Sequence, residues 1–296
     1  MTRTRSFWAL LLLVSTLAPA GDSRIDPIQS AVEATEWKEA LELAEEWVDE
    51  EPENSVAHYW LALALRTKME TVSKIRAIAS VDNYTEALER AIVLDPKNID
   101  ALQEHIGYLI HAPGIAGGDR DQAREEIGAL EKVDPVAALE MRIELFRKEE
   151  DTTGQIATLK QLRLLEPQNA AYDLEAALLL IETEDYEEAE RLLLDSQASD
   201  EPGVALAGRY YRARWRVIAK RDLGTARDLL TAYIEARGDG PLSYAPSEAA
   251  AYWRLGLAYE GLGEKSAALE AMETSVELDP DFKPAAKDLK RLRRGH

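Results

Sequence analysis

The sequence of 296 residues contains no cysteine. Without a thiol, the chain can form no disulfide, perform no thiolate catalysis, offer no cysteine ligand to a metal and carry no lipid on cysteine. Histidine is scarce too, and its four occurrences are too scattered to predict a metal site. No serine lies in a G-x-S-x-G context of the kind that marks a hydrolase nucleophile. We therefore predict no catalytic residue, no cofactor and no enzyme activity.

Positive charge is the second shortage, because 35 lysines and arginines face 55 aspartates and glutamates, for a net charge of -20. An acid excess of this size favours solubility and opposes binding to phosphate backbones, so no nucleic-acid partner is predicted. The hydrophobic fraction of 46% and the charged fraction of 30% are typical of a folded globular protein. The acidic pairs in the sequence are read as solvated helix faces.

Long apolar runs are missing after the first twenty residues. Residues 1–20 carry Arg3 and Arg5, then an apolar run over 7–14, then Ala18-Pro19-Ala20. This order is that of a secretory signal peptide cleaved after Ala20, and no later run is long enough to cross a bilayer. We predict a periplasmic protein with no transmembrane span after cleavage. An uncleaved amino-terminal anchor is the alternative.

What the sequence does contain is a helical pattern, clearest over residues 248–280. Apolar and small residues recur there at helical spacing in two blocks, which a Gly-Leu-Gly segment at 261–263 separates. Two helices joined by a tight turn follow, with Gly256 and Ala268 allowing the helices to approach closely. Asp279-Pro280 ends the second helix, because proline has no amide hydrogen and disfavours helical geometry in the residue before it.

This segment resembles a tetratricopeptide repeat, since its aromatic, leucine-glycine, tyrosine, alanine and proline residues stand at the spacing of that family. The resemblance implies an all-α fold, a right-handed α-solenoid of about seven helix-turn-helix repeats with a C-terminal capping helix. Weaker copies are expected along the chain, each with a proline at the end of its second helix. The prolines proposed for this role are Pro52, Pro96, Pro135, Pro167, Pro202 and Pro280.

The predicted domains are a signal peptide at 1–20, repeats over 21–237, a linker loop at 238–246, and the last repeat with its capping helix over 247–296. A single long helix is expected over 72–94. The glycine-rich loop 113–118 lacks the lysine and the serine or threonine of a phosphate-binding loop, so we interpret it as a turn before a helix capped by Asp119. Contact of this loop with a partner is left open.

A basic stripe, Arg209, Arg212, Arg216 and Lys220, follows one helical face beside Tyr211 and Trp215. One interpretation is that the arginines pair with neighbouring acids while the aromatic rings pack in the core. The other uses the repeat register, in which inner helices line a concave groove and Tyr211-Arg212 corresponds to Trp253-Arg254. Aromatic and arginine side chains are common interface anchors. The predicted partner-binding residues are Tyr59, Tyr211, Arg212, Trp215, Trp253 and Arg254.

The resemblance therefore implies a non-catalytic scaffold that binds another protein or a peptide segment in the cell envelope. Arg212 and Arg254 are expected to meet acidic or carboxylate groups. The lysine and asparagine clamp of some family members is not expected, because Gln103 and Leu174 stand at the corresponding positions. A saccharide or other ligand stacking on Tyr211, Trp215 and Trp253 is the alternative. The basic run over 287–294 is interpreted as cations favoured near a helix end by the helix dipole, with docking to an anionic membrane or self-association through an acidic face of another copy as the alternative.

Overall fold

The computed structural model describes residues 22–238 and 242–294, and the predicted signal peptide lies outside them. Within these ranges the chain forms α-helices and one short 3-10 helix, with no β-strand. The all-α prediction is therefore confirmed. The helices form two compact units, of which the first ends at Glu149 and the second begins at Glu150.

Eight helices make up the described part of the first unit, and they pack as antiparallel neighbours, with α5 packing on α3 rather than on the short helix α4. The first helices of neighbouring hairpins also touch, as for α1 with α3 and α6 with α8. The bounds are α1 Ile25–Glu33, α2 Trp37–Glu50, α3 Ser55–Thr71, α4 Lys74–Ile78, α5 Val81–Leu94, α6 Ile99–His111, α7 Arg120–Leu130 and α8 Pro135–Lys148.

The described part of the second unit is built in the same way. Its helices are α9 Thr152–Leu165, α10 Ala171–Glu182, α11 Tyr186–Gln197, α12 Pro202–Ala219, α13 Leu223–Arg237, α14 Glu248–Leu262, α15 Lys265–Leu278 and α16 Lys283–Arg294. Because α13 packs on α14, the segment 238–246 joins two helices inside this unit. The helix α16 buries Ala285 and Leu289 against the preceding hairpin, as expected of a capping helix.

Close helix approach in the α14–α15 hairpin depends on small residues, as the sequence predicts. A Cβ added at Gly256 would lie 2.6 Å from the Cγ of Met272 and 3.1 Å from the carbonyl oxygen of Ala268. The Ser275 hydroxyl donates a hydrogen bond to the Ala249 carbonyl at 2.6 Å across the same contact. Gly263 ends α14 with φ of 82°, a left-handed conformation that glycine adopts without strain.

Four of the six marker prolines lie just after a helix, as predicted: Pro52, Pro96, Pro167 and Pro280. The prediction was wrong for Pro135 and Pro202, which begin α8 and α12. Proline is tolerated in the first helical turn, where its missing amide hydrogen has no intrahelical partner to lose.

The single helix predicted over 72–94 was also wrong, because the chain forms α4 and α5 instead. Val72 and Ser73 have extended backbones with ψ of 172° and 151°. None of the residues of the short helix α4 is buried, so no core contact keeps α4 aligned with α5 as one continuous helix.

Candidate functional site

Two arginines of the basic stripe on α12, Arg212 and Arg216, pair with one carboxylate of α11. Glu190 accepts hydrogen bonds from Arg212 Nε at 2.9 Å, from Arg216 Nη1 and Nη2 at 2.8 and 3.0 Å, and from Trp215 Nε1 at 2.8 Å. Arg212 also donates to the Gln197 side chain at 2.6 Å. Burial alone raises the pKa of Glu190, but the hydrogen bonds from Arg216 and Arg212 outweigh it, so the pKa lies below its usual range.

The Trp215 ring takes part in the same cluster. Tyr186 of α11 stacks on it at 5.2 Å with an interplanar angle of 18°, and the Arg216 guanidinium lies 4.3 Å from its centroid. Arg212, Trp215 and Arg216 thus hold α12 against α11, as the packing interpretation expects. We call Glu190, Arg212, Trp215 and Arg216 the Glu190 cluster.

Trp253 on α14 is engaged with the capping helix. Its Nε1 donates to Asp288 of α16 at 2.9 Å, and Phe282 meets its ring edge-on at 5.5 Å. The Arg254 guanidinium lies over the same indole, 4.2 Å from the ring centroid. Trp253 therefore contacts both Arg254 and the helix α16.

Arg254 differs from the arginines of the Glu190 cluster, because it forms no ion pair within the described part of the chain. Its guanidinium lies close to the hydroxyl of Tyr210 on α12. Its Nε is buried without a hydrogen-bond partner. Burial lowers the pKa of Arg254, and the positive charge of Arg214 lowers it further. Asp288, whose charge also reaches Arg254, accepts hydrogen bonds from Trp253 and Arg291.

Arg214 is not among the partner-binding residues predicted from the sequence. It lies one turn after Tyr210 on α12, with its guanidinium 5.5 Å from the Tyr211 ring centroid. Like Arg254, it has no carboxylate partner among the residues that the structure describes. The four-residue spacing from Tyr210 to Arg214 was the available signal, because it places both side chains on one face. We call Arg214 and Arg254 the arginine pair.

Tyr211 and Tyr59 complete the predicted set. Tyr211 is partly buried against the core of the second unit and meets Tyr210 edge-on at 5.2 Å. Tyr59 lies in the first unit, partly buried between two apolar clusters. Burial raises the pKa of Tyr59, and the charges of Glu104 and Asp100 add to this effect. The predicted residues of α12 and α14 thus share one unit, and Tyr59 belongs to the other.

Glu104 anchors a separate network in the first unit. Its two oxygens accept hydrogen bonds from Arg66 Nη1 at 2.5 Å and from the Tyr84 hydroxyl at 2.6 Å, joining α3, α5 and α6. Across residues 22–238 and 242–294, no group of three or more histidine or acidic side chains is placed to hold a metal ion. No helix in these ranges has the length and apolar character needed to cross a membrane.

Comparison with known proteins relates this fold to that of tetratricopeptide-repeat proteins. Residues 249–282 match the family model of the tetratricopeptide repeat. No curated protein sequence matches the chain significantly. Among solved structures, the chain is similar to the C-terminal part of a tetratricopeptide-repeat-containing protein from Cytophaga hutchinsonii, with a TM-score of 0.63 and 15% identity. That match covers 88% of this chain and 98% of the other.

Yeast Tom70 is a second similar structure, with a TM-score of 0.53, 15% identity and coverage of 95% of this chain and 58% of that one. A chain of the APC/C hetero-tetramer Cut9-Hcn1 matches with a TM-score of 0.48, 14% identity and coverage of 90% and 48%. The chain thus spans less than two thirds of these last two proteins. At such identities, the similarity to the Cytophaga protein and to Tom70 shows the fold.

Proposed function

Because the chain carries a tetratricopeptide repeat at residues 249–282 and has the fold of tetratricopeptide-repeat proteins, we propose that it is a non-catalytic scaffold that binds a segment of another protein. Repeat proteins of stacked helices offer extended surfaces for such contacts. The proposed site is the surface of α12 and α14 around the arginine pair.

The observation that carries this proposal is that, among the described residues, Arg214 and Arg254 have no carboxylate partner. Arg212 and Arg216 share Glu190, whereas the buried Nε of Arg254 has no acceptor. A guanidinium is shaped to bind a carboxylate with two parallel hydrogen bonds. We therefore propose that the partner segment brings an acidic side chain or a terminal carboxylate to the arginine pair.

The surroundings of the pair suit a protein ligand. Tyr211 lies beside Arg214 and Trp253 lies beneath Arg254, so the charged groups sit on rigid aromatic rings. Arginine held on aromatic rings loses little freedom when it forms an interface contact. The Glu190 cluster also supports the site, because it holds α12, the helix that carries Arg214, against α11.

Saccharide stacking on Tyr211, Trp215 and Trp253 is the alternative from the sequence. Trp215 is already contacted by Tyr186 and Arg216, and Trp253 by Phe282 and Arg254. These contacts occupy ring surface that a sugar would need, so they favour the protein partner.

We also propose that the scaffold is exported and acts in the cell envelope. The support is the order of basic, apolar and small residues over 1–20 and the lack of cysteine throughout the chain. Expression in a Gram-negative host with fractionation, followed by amino-terminal sequencing, tests this proposal. We expect a periplasmic product beginning at Gly21, and a cytoplasmic product that retains residues 1–20 would contradict it.

Photo-crosslinking tests the binding site. A benzophenone amino acid in place of Tyr211 should capture a partner whose attached peptide contains clustered acidic residues or a free carboxyl terminus. Binding of that purified partner to Arg214→Gln and to Arg254→Gln should weaken about tenfold each, which corresponds to about 1.4 kcal/mol for a charge-assisted contact. Arg214→Lys should restore part of the affinity because the positive charge is kept.

Arg227→Gln is the matched control. Arg227 is a partly exposed arginine of α13 that already pairs with Asp228 and Glu264, so its loss should change affinity less than twofold. Circular dichroism of each variant checks that the helices are retained. Equal affinities for all variants, or a captured peptide without acidic groups, would show that the arginine pair is not the binding site.

A further inference from the structure

A cleft of about 360 Å³ lies in the first unit between α5 on one side and α6 with its following loop on the other. Its apolar lining includes Ile78, Val81, Leu109 and Ile115. This volume is at the lower end of the range for ligand pockets, which suits a few side chains better than a large ligand. The cleft shares no residue with the arginine pair.

The loop over 112–119 holds Ile115 at the cleft in a defined conformation. Gly117 has φ of 85°, and a Cβ on Gly118 would lie 1.9 Å from the carbonyl oxygen of Ala112. The Tyr108 hydroxyl donates to the Ala116 carbonyl, and the Asp119 amide donates to the Leu109 carbonyl at 3.0 Å. These two hydrogen bonds tie the part of the loop that follows Ile115 to α6.

Ile115 itself is 98% exposed, and Ile78 across the cleft is 64% exposed. Burying an isoleucine side chain contributes about 1.5–3 kcal/mol of free energy. A ligand that covers these two exposed isoleucines would therefore gain binding free energy from their burial. Exposed apolar groups bordered by polar ones are typical of interaction sites. The apolar part of the cleft therefore favours an occupant with an apolar side chain.

The charged side chains of the cleft indicate which polar group the occupant carries. Asp82 and Glu89 line the α5 wall two helical turns apart, and neither forms an ion pair within the described ranges. The other ionisable group of the lining is His105, whose Nδ1 is hydrogen-bonded to Glu126 at 2.8 Å. No lysine or arginine lines the cleft. The cleft thus has apolar side chains on both walls, and its α5 wall also carries two carboxylates.

We propose that this cleft binds an extended segment of another protein in which a lysine or arginine flanks an apolar side chain. The apolar side chain contacts Ile115, Ile78 and Leu109, and the basic group pairs with Asp82 or Glu89. Seven residues of helix separate the two carboxylates by about 10 Å, the length of about three extended residues. Charge complementarity selects a basic segment here, whereas the arginine pair of the second unit selects an acidic one.

Peptide display on the purified full-length chain tests this proposal. A library of random seven-residue peptides should yield a consensus with lysine or arginine next to an apolar residue. The selected peptide, carrying a fluorophore, is then titrated by fluorescence polarisation. We expect the dissociation constant to rise at least tenfold for Asp82→Asn/Glu89→Gln and for Ile115→Ser, and binding to the wild type to weaken with added salt.

Two controls keep the result specific. Glu86→Gln removes an exposed acid of α5 that does not line the cleft, and Leu164→Ser removes a 79% exposed leucine of α9. Both should bind the peptide within twofold of wild type. The altered cleft residues Asp82, Glu89 and Ile115 are exposed, so the helical circular dichroism signal should be unchanged.

Three outcomes would overturn the proposal. One is a selection without consensus or with an acidic consensus, and another is unchanged affinity in the cleft variants. The third is a wild-type dimer, detected by light scattering, that dissociates on Ile115→Ser, because the occupant would then be a second copy of this chain. None of these outcomes bears on the arginine pair, which is tested with its own variants.

Discussion

Replacing Glu190 with alanine tests how far the second unit depends on one carboxylate. The substitution removes the acceptor of Arg212, Arg216 and Trp215 and leaves two guanidinium groups whose side chains are only 15% and 10% exposed. Removing one partner of a fully buried pair costs about 3–5 kcal/mol. Since the Glu190 side chain is 20% exposed and water can partly replace it, we expect a loss of about 2–3 kcal/mol.

Urea denaturation at pH 7, followed by tryptophan fluorescence and circular dichroism, measures this loss. For a urea dependence of about 2 kcal/mol per molar, the midpoint of the transition that involves the second unit should fall by about 1–1.5 M. The control is Glu187→Ala on the same helix, because Glu187 is exposed and its loss should cost no more than about 0.5 kcal/mol.

The effect should also depend on pH in a defined direction. The pKa of Glu190 is lowered in the folded state, so its stabilisation is fully present above the unfolded carboxyl pKa of about 4.3. It is lost as pH falls through the lower folded pKa. The difference between wild type and Glu190→Ala should therefore shrink in acid. A difference below about 0.5 kcal/mol at pH 7, or one that is constant down to pH 3, would refute the view that charge pairing holds α11 and α12 together.

Three further changes probe the helices and their contacts, each by the free energy of unfolding in urea. Gly256→Val should destabilise by about 1–3 kcal/mol, because a Cβ already meets Met272 and a larger side chain overpacks the α14–α15 contact; an unchanged midpoint would contradict that contact. Gly128→Ala should stabilise by about 0.5–1 kcal/mol, since its Cβ meets nothing within 4 Å in a helix interior, and a loss would show a hidden clash. Asp119→Ala should cost about 1 kcal/mol by removing the acceptor for two amides of α7, whereas no change would mean that water replaces the cap.

The hairpin of α14 and α15 was predictable because its determinants are local. Gly256 and Ala268 mark the close contact, and Gly263 and Pro280 mark the turn and the end. The role of Pro135 was not predictable by the same logic. Proline fits both after a helix and in its first turn, so the neighbouring capping residue decides which role it takes. Here the Asp134 side chain accepts hydrogen bonds from two backbone amides at the start of α8.

The proposed binding site was predicted only in part. The sequence drew attention to Arg254 and to the arginines of α12, but it assigned the partner-facing role to Arg212 and overlooked Arg214. These two residues are two positions apart and lie on different sides of α12, so Arg212 meets Glu190, 22 residues earlier, and Arg214 lies near Arg254, 40 residues later. Which arginine finds a carboxylate depends on the neighbouring helices, and no periodicity within α12 contains that information.

In the α14–α15 hairpin, helix, turn and repeat identity were thus determined by the sequence alone, because glycine conformation and the spacing of small and aromatic residues act over a few positions. The partition of arginines into the Glu190 cluster and the arginine pair was decided only by tertiary structure. So was the cleft beside Ile115, whose walls come from α5 and from the loop after α6. Charge pairing and cleft formation join side chains that are distant along the chain, and only the packing of helices brings those side chains within contact distance.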